Sequence, residues 1–145
     1  MKQATLQMQT FARRLIENEA NGVKSLRAKN AAAFEIYEKL RPQLEPLVGK
    51  SGFRSLLSRA LTLATMEISE LRTMQVRANG ALEGPKEVKE NQNSTKVYKG
   101  RVVFLAHLLG LLVAFIGRNL TVRLMNEIWP NVTLDDLDLE EGERK

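Results

Sequence analysis

The strongest constraint in this sequence is a run of 16 residues without a formal charge, Val102–Gly117, which lies between Arg101 and Arg118. A helix that crosses a membrane needs about 20 predominantly apolar residues, so this run alone is too short. The apolar pattern continues beyond Arg118, but Arg123 interrupts it. The run therefore favours a helix that is buried on most sides in a helical domain. Membrane insertion of the same helix is kept as an alternative.

Helical periodicity covers most of the chain before this run. Apolar residues recur every three or four positions over 5–19, 23–40 and 53–71, which is the spacing that places them on one face of a helix. No alternation typical of a strand extends over a useful length. The sequence therefore predicts an all-α fold, a bundle of three to five helices with a long apolar C-terminal helix and an acidic tail.

Helix-breaking and capping residues give the predicted boundaries. Gly22 stops the first helix, although the apolar phase continues across it, so residues 3–41 form either one helix or two. Pro42 and Pro46 predict a broken stretch, because proline lacks the backbone donor that the interior of a helix needs. Ser51 is a candidate N-cap for the helix that follows, since its hydroxyl can accept from free backbone N–H groups.

The second half of the chain is expected to contain a linker, a helix and a tail. The helix after Ser51 is expected to end near Gly80, because glycine suits the left-handed cap. A polar linker follows over about 83–99, and the last helix runs without a break from there to Trp129, which precedes a proline. We therefore expect one helical domain over 1–130 and a mobile acidic tail over 131–145.

The net charge of +5 combines two unlike parts. Residues 1–130 carry 20 basic and 11 acidic residues, whereas residues 131–145 carry 2 and 6, so the body is +9 and the tail is −4. A basic body supports weak, salt-sensitive binding of nucleic acid or another anion. Four arginines are the candidate contacts: Arg13, Arg14, Arg54 and Arg59. Because basic residues alternate with acids and match no helix-turn-helix spacing, nucleic acid is the second hypothesis. We also expect the tail to compete for the basic surface.

The sequence offers little for catalysis or for cofactor binding. It contains no cysteine, which excludes disulfides, thiolate metal sites and thiol nucleophiles. Its only histidine, His107, lies in the apolar run, and the residues four positions away, Val103 and Leu111, cannot pair with it. We interpret His107 as a polar core residue with one hydrogen bond, and a buried pH switch or general base is the alternative. We therefore predict no enzyme activity, no cofactor and no metal.

Small residues recur along the apolar run at helical spacing: Ala106, Gly110, Ala114 and Gly117. Small side chains on one face let the backbone of another helix approach closely. We predict that this small-residue stripe forms a close helix–helix contact, either within the chain or between two copies. The substitution Gly110→Leu is then expected to lower stability or to change the oligomeric state.

Two stretches of the chain carry a family resemblance: Leu71–Gly84, and His107–Gly117 with its continuation to Ile128-Trp129-Pro130. Together they cover about half of the chain and resemble a group of small all-helical bacterial proteins of unknown function. The resemblance implies a bacterial protein that is soluble or peripheral, and it implies no catalytic residues to transfer. Arg118 stands where that group has an acid, so no role is transferred to it.

These observations predict a non-enzymatic helical interaction or regulatory subunit. Its expected partner is itself, through the small-residue stripe, or another helical protein. A nucleic-acid-associated protein that uses its basic body and a membrane-acting helical protein are the alternatives. No apolar run of about 7–15 residues follows the basic residue near the N-terminus, so the sequence predicts no secretory signal and a cytoplasmic location.

Overall fold

The chain folds into a helical bundle. The computed structural model describes residues 6–22, 25–68, 75–76, 82–83, 94–130 and 132. Its elements in chain order are α1 (Leu6–Glu19), α2 (Leu26–Glu67), β1 (Gln75–Val76), β2 (Leu82–Glu83), α3 (Ser94–Ile116) and α4 (Arg118–Ile128). The two short strands form one antiparallel pair, with Gln75 opposite Glu83. Apart from these two strands of two residues each, the described elements are helices, so the predicted all-α fold class is confirmed.

A turn after α1 separates the first two helices. Its backbone stays bonded to α1, since the N–H of Gly22 donates to the carbonyl of Glu17 at 3.3 Å. α2 then begins behind Ser25, whose hydroxyl accepts from the backbone N–H of Ala28 at 3.1 Å. The alternative left open by the sequence is thus settled in favour of two helices, because the described residues of this region belong to α1 and to α2.

α2 changes direction at Gly49, which has φ 83° and ψ 161° within otherwise helical residues. We call residues 26–48 the first arm of α2 and residues 50–67 the second arm. The predicted break at Pro42 and Pro46 is wrong, because the helix passes through both. Both prolines are exposed, so they lie on the side of the helix that faces away from the core.

Contacts with α3 show that the two arms lie side by side. Arg101 and His107 are six residues apart, which is about 9 Å along a helix. Arg101 contacts Asn30 near the start of α2. His107 contacts Glu67 at the end of α2. These two partners are 37 residues apart, about 55 Å on a straight helix, so Gly49 must fold the second arm back along the first.

The second arm ends earlier than the sequence predicts. Its last residue is Glu67, so the expected end near Gly80 is wrong. The helix cannot reach that point because the chain is already extended in the strand Gln75–Val76. Ser51, the candidate N-cap, lies inside the helical stretch, since Gly49 is the residue at which the helix breaks.

The predicted C-terminal helix is divided in two at Gly117. This residue has φ 91° and ψ 154° and separates α3 from α4. The expectation of an unbroken last helix is therefore wrong, whereas its predicted end at Trp129 is confirmed. α3 also begins at Ser94, so the part of the predicted 83–99 linker that spans 94–99 is helical.

α3 is the central helix of the bundle. Every residue from Gly100 to Leu109 is buried, whereas most residues over 110–117 are partly or fully exposed. Aromatic and aliphatic side chains from α1, both arms of α2 and α4 complete the core: Phe11, Leu15, Ile36, Leu40, Phe53, Leu57, Leu124 and Met125. Each such side chain stabilises the fold by about 1.5–3 kcal/mol when it is fully buried.

Trp129 closes one end of the bundle. Its indole Nε1 donates to Oε1 of Glu19 at 3.1 Å, and Nζ of Lys39 donates to the same oxygen at 2.9 Å. Glu19 thereby joins α1 to the first arm of α2 and to the end of α4. Val132 is also buried, so the folded body includes at least this residue of the predicted 131–145 tail. The rest of that tail lies outside the described residues.

Candidate functional site

Arg101 is a fully buried arginine between α3 and the first arm of α2. Its Nη1 donates to the backbone carbonyl of Asn30 at 2.9 Å, and its guanidinium lies over the ring of Phe34, 4.6 Å from the ring centre. Burial lowers the pKa of Arg101 from 12.5 to about 10, and the nearby phenol of Tyr37 partly opposes this shift. The side chain therefore keeps its charge at neutral pH inside the core.

Asn30 and Tyr37 form a buried polar cluster with Arg101. Both are buried, and among the described residues neither the Asn30 side-chain amide nor the Tyr37 hydroxyl has a hydrogen-bond partner. Burial raises the pKa of Tyr37 well above its ordinary value. The ring of Tyr37 packs on Phe104, with the centres 4.9 Å apart. The cluster does not bring a nucleophile together with a base, so we interpret it as a polar contact that fixes the position of α3 against the first arm of α2.

This cluster was not among the sites predicted from the sequence. Arg101 marks the edge of the apolar run, and its position there suggests a helix end exposed to solvent. One pattern in the sequence could have indicated the cluster. The spacing of Asn30, Phe34 and Tyr37 places three residues that can contact a guanidinium on one face of a helix.

His107 makes the second polar contact between α3 and α2. The residue is 7% exposed, and its Nε2 lies 2.5 Å from Oε2 of Glu67. Helical spacing could not indicate this partner, because Glu67 belongs to another helix 40 residues away. The contact orients the imidazole ring. Within the part of the chain that the structure describes, no group of three or more His, Asp or Glu side chains could hold a metal ion.

The small-residue stripe does not form a close crossing within the described chain. Ala106 is buried in the core, whereas Ala114 and Gly117 are exposed. A Cβ added at Gly110 or at Gly117 would meet no atom within 4 Å. The expected contact within the chain is therefore wrong at these glycines, because this side of α3 faces away from the other helices, whereas Leu112 on the opposite side is buried. A contact between two copies stays a prediction.

The end of α3 is apolar and only partly covered: Leu112 is buried, Leu111, Val113 and Ile116 are partly buried, and Phe115 is exposed. We call residues 110–116 the apolar end of α3. Within it Phe115 is 66% exposed, which is unusual for a large aromatic side chain. A hollow of about 470 Å³ lies beside it at the bend between α3 and α4, and we call it the corner hollow. Its lining residues are Ile116, Gly117, Arg118, Asn119 and Leu120.

The four candidate arginines lie on two different helices. Arg13 and Arg14 are on α1, where Arg13 is half-buried and Arg14 is exposed. Arg54 and Arg59 are on the second arm of α2 and line one open groove of about 510 Å³. The structure therefore brings one of the two pairs together on a common surface.

α3 also contains a stretch that is long and apolar enough to cross a membrane. It spans Tyr98–Ile116, with a mean hydropathy of 1.8, and 61% of it is buried inside the fold. The core helix of a soluble bundle has the same length and composition, so these properties alone do not distinguish the two environments.

Comparison with known proteins gave no match, whether with protein-family models, with curated proteins or with solved structures. The resemblance to small helical bacterial proteins therefore stays a prediction. A function for this chain has to be inferred from its geometry.

Proposed function

We propose that this protein is a non-enzymatic helical subunit, an interaction or regulatory module, that associates with itself through the apolar end of α3. The proposal rests on a difference in burial within α3. Residues 100–109 are buried, whereas the side chain of Phe115 is 66% exposed. Burying such a side chain stabilises an assembly by about 1.5–3 kcal/mol. Exposed apolar patches on soluble proteins commonly mark contacts with other proteins.

A second copy of the chain supplies a complementary surface. In a two-fold contact the same patch faces itself, so Phe115 of each copy meets the corner hollow of the other. Arg118 is one of the residues that line that hollow. Gly110 and Ala114 lie on the neighbouring side of the same helix end, since 100° per residue places Gly110 about 140° from Phe115, and their small size lets two helix backbones approach closely.

The polar contacts of α3 support a soluble bundle. Arg101 and His107 both lie within the apolar stretch 98–116. Inserting this stretch into a bilayer would separate the two side chains from Asn30 and Glu67. It would also leave the imidazole of His107, at the middle of this 19-residue stretch, in hydrocarbon without its polar partner, which is unfavourable. We therefore include a cytoplasmic location in the proposal.

Light scattering coupled to size-exclusion chromatography tests self-association over a range of protein concentrations. The native protein is expected to have the mass of a dimer or a larger assembly, and Phe115→Gln is expected to lower that mass. Leu47→Gln is the matched control, because Leu47 is 49% exposed on α2. A native protein that is monomeric throughout, or a Phe115→Gln variant with the native mass, would refute the proposal.

Gly110→Leu gives a second, independent measurement on the same surface. The described chain has room for a side chain at Gly110, so the substitution is expected to leave the monomer folded. The added bulk blocks close approach of a second copy. We expect a lower assembly mass together with an unchanged or higher melting temperature, and an unchanged mass would contradict the predicted contact.

A further inference from the structure

The second arm of α2 carries more basic than acidic residues, as does the longer stretch 94–126 of α3 and α4, which has five basic residues and no acid. Residues 46–66 contain Lys50, Arg54 and Arg59 and no acidic residue. The first arm is different, because acids alternate with its basic residues and Arg41 is paired with Glu45 at 3.0 Å. The second arm carries three basic residues and one acid, Glu67, which is its last residue.

The outer face of the second arm carries a row of hydroxyl groups. Its members follow one another at steps of four, three and four residues, and all are exposed: Ser51, Ser55, Ser58 and Thr62. This spacing keeps them on one face of the helix. At 3.6 residues per turn, Arg54 lies along one edge of the row and Arg59 along the other.

The groove that contains both arginines has the donors that a phosphate group needs. It is lined by Arg54, Ser55, Ser58, Arg59, Thr62 and Leu63. Arginine binds phosphate through two parallel N–H groups, and hydroxyls donate to the remaining oxygens. The two arginines are separated by about 7.5 Å along the helix axis, so they suit two phosphates of one chain. The aromatic residue of this arm, Phe53, is buried, so no ring is available to stack on a base.

We propose that this groove binds the phosphate backbone of a nucleic acid without reading its bases. The net charge of +9 on residues 1–130 attracts such a polyanion from a distance. An anionic membrane surface fits less well, because helices that lie on membranes present bulky apolar residues, and this outer face presents hydroxyls. The site is separate from the proposed self-association surface, so each can fail without the other.

Fluorescence anisotropy with a labelled duplex of arbitrary sequence tests the proposal on the full chain at about 50 mM salt and above. Arg54→Gln/Arg59→Gln is expected to weaken binding about tenfold or more and to reduce the salt slope by about 2. The matched control is Lys99→Gln/Arg123→Gln, which removes the same charge from two exposed residues on α3 and α4. It is expected to weaken binding less than about threefold.

A single variant and a comparison with vesicles complete the test of the proposed groove. Arg59→Gln alone is used if the double variant does not fold, because Arg59 is exposed, and it is expected to reduce the salt slope by about 1. Equal weakening by the test and control variants would overturn the site, because binding would then depend on net charge alone. Absence of duplex binding at low salt, or binding only to vesicles that contain an anionic phospholipid, would overturn the choice of nucleic acid.

Discussion

Three glycines with equal free space and different backbone angles give a sharp test of the fold. A Cβ added at Gly49, Gly110 or Gly117 would meet no atom within 4 Å, so an alanine side chain collides with nothing at any of them. Gly49 and Gly117 have positive φ values of 83° and 91°, whereas Gly110 lies within the helical residues of α3. Substitution by alanine therefore changes mainly the energy of the backbone.

The expected effects have opposite signs. At the two bends, φ near 90° and ψ near 155–160° is a region that is essentially restricted to glycine, so alanine costs about 1–3 kcal/mol. At Gly110 alanine favours the helix by about 1 kcal/mol. Gly49→Ala and Gly117→Ala should thus be less stable than Gly110→Ala by about 2–4 kcal/mol.

Urea unfolding followed by far-UV circular dichroism measures this difference. The melting temperature gives a second readout, with about 4 °C for each kcal/mol in a domain of this size. If Gly117→Ala were as stable as Gly110→Ala, α3 and α4 would form one continuous helix, as the sequence alone suggests. If Gly49→Ala were as stable, the reversal of α2 would not depend on a glycine conformation.

Three further outcomes are expected. Arg101→Met should change the free energy of unfolding by less than about 2 kcal/mol. The shift of the arginine pKa from 12.5 to about 10 corresponds to a cost of about 3 kcal/mol for holding the charged side chain in the core. Removing the charge removes this cost, which offsets the loss of the contacts with Asn30 and Phe34. Arg101→Ala also leaves a cavity and should cost about 2–5 kcal/mol, so equal losses in urea unfolding would contradict this reasoning. Tyr37→Phe should raise stability by about 1 kcal/mol, since it removes a buried hydroxyl without a hydrogen-bond partner in the described part of the fold, and a loss in the same assay would contradict it. Deletion of residues 133–145, which spares the buried Val132, should strengthen duplex binding at low salt in the anisotropy assay, and equal affinity would show that the acidic tail does not compete.

Periodicity in the sequence was sufficient to predict helices, but it misplaced several of their ends. Pro42 looks like a breaker when only local backbone chemistry is considered. In the fold, Leu40 and Leu44 on either side of it are both fully buried, and their packing keeps the chain helical. The actual breaks occur at Gly49 and Gly117, where a change of direction requires a backbone conformation that glycine alone adopts easily.

The polar contacts of Arg101 and His107 were not predicted from the sequence, because they join parts of the chain that are far apart in sequence. Arg101 meets Asn30 across 71 residues and His107 meets Glu67 across 40 residues. No local spacing rule connects such pairs. The sequence indicated that α3 is buried and that its small residues lie on one face. It could not indicate which side of residues 110–116 stays exposed, because this depends on how the other helices pack around α3.

The polar contacts also determine the register of α3 against the two arms of α2. A largely apolar helix in an apolar environment can shift by one turn, about 5.4 Å, and exchange one aliphatic contact for another. Arg101 and His107 do not allow such a shift, because it would separate them from Asn30 and Glu67 and leave polar groups buried without their partners. Since these partners lie on the two arms of α2, both contacts must form in the same register. That register leaves Phe115 outside the core, and it thereby sets the position of the proposed self-association surface.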